Sequence, residues 1–209
     1  MLIALVGSDG AGKSLQARRL CDRLAAQGRV VERVDMWDLL DPERHPEARF
    51  FTGGRPMLRN CIAEMAPPAR GLFLFWMIAS VVTERRAAAP DAVLVVDGYW
   101  YKHAAAEHAL GAGDTVAVRM PEPDLVLHLD VSPAVALARK QPDGLTLYEC
   151  GCDGSRAPAS FLAHQAKVRC VLQRWARERG WCRIDADRDA DSVSAAIVAA
   201  ADAALRVAA

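Results

Sequence analysis

Gly7-Ser8-Asp9-Gly10-Ala11-Gly12-Lys13-Ser14 decides how the rest of the chain is read. The stretch fits Gly-x-x-x-x-Gly-Lys-Ser/Thr, the spacing of a phosphate-binding loop. Before it, Met1 to Val6 is an apolar run of buried-strand length. After it, Ala17, Leu20, Cys21, Leu24 and Ala25 recur at helical steps, and Gly28 falls where a helix cap belongs. The residue types follow from the task. Glycines let backbone N–H groups approach a polyphosphate, and the positive end of the following helix attracts anions. Lys13 adds a mobile cation for the outer phosphates, and the Ser14 hydroxyl is a ligand for Mg²⁺. The competing reading is a glycine-rich strand-to-helix turn with an incidental lysine.

Outward from this loop, strands and helices alternate. Val30 to Asp35, Ala92 to Asp97, Leu125 to Val131 and Trp181 to Asp185 read as four further strands. Between them, 69–88 and 158–179 read as long helices, 58–65 and 103–110 as short ones, and 191–207 as an alanine-rich terminal helix. Ser132-Pro133 marks the start of another. Residues 36–56, with three prolines and two glycines, read as loops with short helical turns, and 111–123 as a loop. The alternation predicts an α/β fold in three layers: a central parallel five-stranded sheet with helices on both faces. The chain reads as a single domain over 1–209. Residues 141–157, punctuated by Pro, Gly and Asp, form an expected lid. Ligands in such folds bind beyond the carboxyl ends of the strands, where the loop, Asp35, Asp97 and Asp130 all fall.

Composition narrows the partners. Of 209 residues, 52% are hydrophobic and 25% charged, and Lys+Arg equals Asp+Glu. Zero net charge argues against a general nucleic-acid or membrane surface. The apolar run 72–82 is too short to span a bilayer. Cys21, Cys61, Cys150, Cys152, Cys170 and Cys182 show no zinc spacing, which favours reduced thiols and a cytoplasmic protein. The first apolar run leads straight into the phosphate loop and reads as a strand, so no signal peptide is expected.

A phosphate loop alone says nucleotide binding, and Asp97 narrows the chemistry. Four apolar residues and then Asp is the form of a strand whose carboxylate holds Mg²⁺. The alternative is an Asp that caps the next helix. The loop's need for a metal or acceptor partner favours the first. Asp130, beside Ser132-Pro133, reads as structural. Phosphoryl transfer needs cations around the migrating group. Arg139, Lys140 and Arg156 flank the expected lid, each either a phosphate contact on closure or a solvated charge. Lys102, just past the Asp97 strand, is a candidate for an acceptor phosphate. Tyr99, Trp100 and Tyr101, with Phe73, Phe75 and Trp76, line either an acceptor pocket or the core. The five histidines show no metal spacing.

These residues resemble the thymidylate kinase family of phosphate-loop nucleoside monophosphate kinases. The loop with Asp9 and Gln16 resembles that family's loop. The stretch 123–133 with Val135-Ala136-Leu137-Ala138-Arg139 resembles its fourth strand and lid-leading helix, and 183–186 its last strand. The resemblance implies transfer from ATP, with Mg²⁺, to a nucleoside monophosphate (dTMP + ATP to dTDP + ADP), by a homodimer. It implies a nucleotide-binding segment of Gly7, Ser8, Asp9, Gly10, Ala11, Gly12, Lys13, Ser14 and Leu15. By that resemblance Asp9 contacts the acceptor sugar, Lys13 the ATP phosphates and Ser14 the metal; the residue patterns themselves set Asp97, Arg139 and Arg156 beside Lys13 in catalysis, Asp97 beside Ser14 at the metal, and Asp97, Tyr99 and Lys102 beside Asp9 at the acceptor.

Three departures fall on the acceptor side. The family's Asp-Arg after the third strand is Asp97-Gly98 here. The helix 72–79 lacks the family's arginine, and Asp35-Met36-Trp37-Asp38 replaces its Arg-Glu-Pro-Gly-Gly pattern. Two missing arginines remove the usual bidentate partners of an acceptor phosphate. Kinases of another small-molecule or nucleoside acceptor, and a nucleotide-binding regulatory protein without transfer activity, are therefore the alternatives.

Overall fold

The computed structural model describes residues 1–110, 120–140 and 144–207. Five strands, β1 (Leu2–Val6), β2 (Val31–Val34), β3 (Val93–Asp97), β4 (Leu125–Asp130) and β5 (Cys182–Asp185), form one sheet. All four pairings are parallel, in the order β2-β3-β1-β4-β5. Seven α-helices are described: α1 (Lys13–Ala26), α2 (Gly54–Glu64), α3 (Ala69–Ala88), α4 (Trp100–Ala109), α5 (Pro133–Ala138), α6 (Pro158–Glu178) and α7 (Ala190–Val207).

Alternation along the central strand divides the core. Leu2, Ala4 and Val6 face one side, with Leu74, Ile78 and Val82 of α3 and Leu172 of α6. Ile3 and Leu5 face the other, with Leu20 and Leu24 of α1 and Ile197 and Leu205 of α7. Both faces of β1 and β3 are buried, which is why their sequences are continuously apolar. The chain is thus an α/β protein with helices on both sides of a parallel five-stranded sheet. None of the helices among the described residues is long and apolar enough to cross a membrane.

Helix bounds depart from the sequence at two places that matter. α2 starts at Gly54, four residues before the expected 58, with Pro56 in its first turn. Proline there lacks only an N–H that has no intrahelical partner. α4 starts at Trp100 instead of His103, absorbing Trp100 and Tyr101. Of the expected loop 111–123, residues 111–119 lie outside the described residues, as do 141–143 of the expected lid. The described part of that lid is turns and bends with Leu145 and Cys150 buried, packed down on the body of the protein.

Asp130 ends β4 and is fully buried in a basic socket. It accepts hydrogen bonds from Arg169 Nε (2.6 Å), Gln173 Nε2 (3.0 Å) and Arg183 Nε (2.7 Å). Burial raises its pKa, but the Arg169, Gln173 and Arg183 bonds overcome this and bring it down to about 2. A lowered folded-state pKa gives stability that is present above the ordinary aspartate value and lost as pH falls toward 2. Asp130→Ala should therefore cost about 1–3 kcal/mol at neutral pH. Urea unfolding checks this, and the variant should also lose part of the acid-side decline in stability.

Candidate active site

The loop after β1 turns on left-handed glycines, Gly10 and Gly12, each at φ +83°. A Cβ on Gly10 would lie 2.6 Å from the carbonyl oxygen of Ala136, so the loop packs against α5 only as glycine. Gly12 caps α1 and leads directly into Lys13 and Ser14. The Lys13 ammonium bends back and donates to the carbonyls of Gly7 and Ser8, both at 2.9 Å. Burial pushes its pKa down to about 8, against the pull of Asp9.

A cavity of about 370 Å³ opens beyond the carboxyl ends of β1, β2 and β3. Asp9, Gly10, Gly12, Lys13, Ser14 and Leu15 form its loop wall. Asp35 and Asp97 enter from the ends of β2 and β3, tied by Arg33 at 3.8 Å and 3.4 Å. Burial pushes Asp35 up; the Trp37 N–H opposes this and the Asp97 charge adds to it. Gly98, at φ +83°, donates its N–H to Leu5 and brings the chain past the Lys13 side chain.

Lys102 of α4 pairs with Asp9 at 2.9 Å. Burial disfavours the Asp9 carboxylate, but Lys102, Lys13 and Lys140 outweigh it and hold the group well below the usual carboxylate range. Gln165 of α6 fixes the same residue. Its Oε1 accepts from the Asp9 N–H at 2.9 Å, and its Nε2 donates to the Glu149 carbonyl at 2.7 Å. One amide thus joins the phosphate loop to the segment read as a lid. That segment adds Thr146, Tyr148 and Glu149 to the cavity wall, and Lys140 reaches the same wall paired with Glu149.

The cavity therefore gathers Asp9, Lys13, Ser14, Asp97 and Lys102. Ser14 and Asp97 offer a hydroxyl and a carboxylate, hard oxygen donors that suit Mg²⁺. Other sequence candidates lie elsewhere. Tyr99 does not line the cavity: it is fully buried, its hydroxyl donates to the Pro121 carbonyl, and its ring packs on Tyr101 at 5.7 Å. Trp100 packs on Phe75, and Phe73 and Trp76 on Phe51, so the aromatic cluster is packing. Arg139 is exposed and donates to the Arg188 carbonyl at 2.9 Å, turned toward the loop before α7. Arg156 is exposed and outside the cavity lining.

Four residues at the site, Gln165, His103, Tyr148 and Arg59, carry no distinct motif in the sequence. Gln165 sits in an amphipathic helix whose apolar face is its legible feature. His103 lies 3.1 Å from the Tyr148 hydroxyl, and burial keeps its pKa well below the ordinary histidine value. Arg59 of α2 lines the cavity beside Trp37. An arginine pair at i and i+4, Arg55 and Arg59, was the available clue. Among the described residues, no three His, Cys, Asp or Glu side chains cluster to hold a metal ion by themselves.

No protein-family model matches the chain. Curated relatives do. The thymidylate kinase of Caulobacter vibrioides is 30% identical over 208 residues, 93% of this chain and 92% of the relative. The human thymidylate kinase is 27% identical over 215 aligned positions, 99% of this chain and 92% of its own. A protein of Aeropyrum pernix, carrying the same name in provisional form, is 30% identical over 142 residues. That match spans 66% of this chain and 65% of the relative.

Proposed function

The chain belongs to the thymidylate kinase family, and so to the nucleotide kinases, and we propose that it transfers the terminal phosphoryl group of ATP to thymidylate. The observation that carries this reading is the convergence of Asp9, Lys13, Ser14, Asp97 and Lys102 on one cavity at the strand ends. The loop amides and Lys13 bind the donor phosphates. Ser14 and Asp97 would hold Mg²⁺, which would supply neutralising charge to the phosphoryl oxygens. Asp9, steadied by Gln165 and Lys102, orients the acceptor sugar, and Lys102 adds positive charge near the acceptor. Tyr148 and Thr146 lie over the site and limit water there. Of the lid-flank cations Lys140 lines the cavity, whereas Arg139 and Arg156 do not. The homodimer belongs to the same proposal.

A different acceptor is the second reading, favoured by Gly98 and by the arginine-free run 72–79. An ADP-release assay over nucleoside monophosphates and nucleosides tests both. Thymidylate-stimulated ADP release is the expected result. Release with another acceptor alone replaces thymidylate by that compound. ATP binding with no acceptor-stimulated release overturns the kinase reading.

A further inference from the structure

We propose that Arg70, forked on Glu107, is a positioning residue: it seats the turn 145–152 on the body of the protein and so keeps water from the donor's terminal phosphate. The inference rests on the kinase reading and adds to it a part that touches no substrate. Arg70 stands in the first turn of α3 and is 2% exposed; Glu107 of α4 is 6% exposed. Arg70 Nε donates to one Glu107 oxygen at 2.6 Å and Nη2 to the other at 3.2 Å, a two-point fork. The third nitrogen is turned elsewhere. Nη1 donates to the Met65 carbonyl, just past α2, and to Cys152 Sγ of the turn, both at 3.2 Å. The guanidinium carbon also lies 5.8 Å from the centroid of the Tyr148 ring.

Burying a charged pair costs desolvation free energy that the mutual attraction barely returns, so two apolar side chains would hold α3 to α4 as well. An apolar pair could not, however, present a donor to the turn. Tyr148 carries the contact on to the site. It lines the cavity, its hydroxyl meets His103 Nδ1 at 3.1 Å, and its ring centroid lies 5.2 Å from the Lys102 ammonium that pairs with Asp9. Gln165 also holds the turn, by the Glu149 carbonyl, yet it bonds Asp9 too. Arg70, Glu107 and Cys152 lie outside the cavity lining, so their loss reaches the site through the turn. With the turn lifted, a water oxygen attacks the terminal phosphorus and the bond to the bridging oxygen breaks. ATP and water then become ADP, orthophosphate and a proton, with no acceptor consumed.

The full chain is tested by ADP release without acceptor, taken as a fraction of release with thymidylate, and by amide hydrogen exchange at Cys150 and Cys152. Arg70→Met/Glu107→Leu replaces the pair with apolar side chains of similar size and should melt near the wild type. Its acceptor-independent fraction should rise about tenfold. The two amides, bonded within the turn to the Thr146 and Leu147 carbonyls, should exchange about tenfold faster. Cys152→Ala leaves the ion pair intact and should shift both readings the same way, by about two- to fivefold. Cys152→Ser keeps an acceptor for Nη1 and should recover part of that shift. A purely structural pair would lower release with and without acceptor together. An unchanged fraction in the variants therefore overturns the proposal, as does unchanged exchange. If the double variant does not fold, Cys152→Ala decides alone. If the ADP-release panel selects another acceptor, that compound replaces thymidylate. Failure of the kinase reading shows instead in the wild type, as no acceptor-stimulated release, and removes both.

Discussion

Lys13→Ala is expected to lower phosphoryl transfer by a factor of about 10²–10³, the usual loss when one preorganised charge-stabilising donor is removed. The fold should survive, because the Lys13 ammonium bonds only to carbonyls of its own loop, at 2.9 Å each. Steady-state kinetics beside a thermal melt checks both halves; near-normal turnover would remove Lys13 from the mechanism. The same residue sets a pH dependence. Burial brings its pKa down to about 8, so the ammonium is least secure when the cavity holds no anion. Triphosphate binding favours the protonated form. Below about 8 the charge is already present; above it, the protein must take up a proton to bind. Triphosphate affinity should therefore fall as pH rises through about 8. Calorimetry in buffers of different ionisation heat should register that proton uptake.

Asp97→Asn is expected to be about as damaging, lowering kcat by about 10²–10³ and raising the Mg²⁺ concentration needed for half-maximal rate. The choice of asparagine separates two roles. Asparagine caps helices as well as aspartate does, so a capping Asp97 would tolerate the change. In the structure the N-cap of α4 is Tyr99, with no side-chain cap. Asp97 instead lines the cavity, with Arg33 at 3.4 Å. A magnesium titration of the variant's rate reads the effect; wild-type turnover in the Asp97→Asn variant would return the residue to a structural role. Stability should change little, since Arg33 keeps Asp35 as a partner.

How much of this was legible in the sequence depended on whether the pattern was local. The phosphate loop, the β3 carboxylate and the long helices were legible because each carries its own periodicity or spacing. α3 spans Ala69–Ala88 as its pattern predicts. Ser132 caps α5, accepting from the Val135 N–H, with Pro133 in the first turn. Aromatic chemistry was not legible: nothing in Tyr99-Trp100-Tyr101 distinguishes a pocket wall from a core, and burial resolves it toward the core. Gln165, His103 and Tyr148 were invisible for a different reason. The contact of Gln165 with Asp9 spans 156 residues of sequence and that of His103 with Tyr148 spans 45, through tertiary packing that no window covers. Arg59 was hidden by punctuation, since Gly53, Gly54 and Pro56 read as a break although the helix begins among them.

The folded-back ammonium of Lys13 also shapes which anions gain entry. A bare cation in an open cradle would trap any passing sulfate or orthophosphate. Here an incoming ion must first displace two charge-assisted hydrogen bonds, each worth about 1.5–3 kcal/mol. A compact ion with few contacts is thereby put at a disadvantage, whereas an extended triphosphate meets the whole row of amides at once. The resting conformation works as a threshold, and discrimination by chain length begins before any nucleotide has arrived.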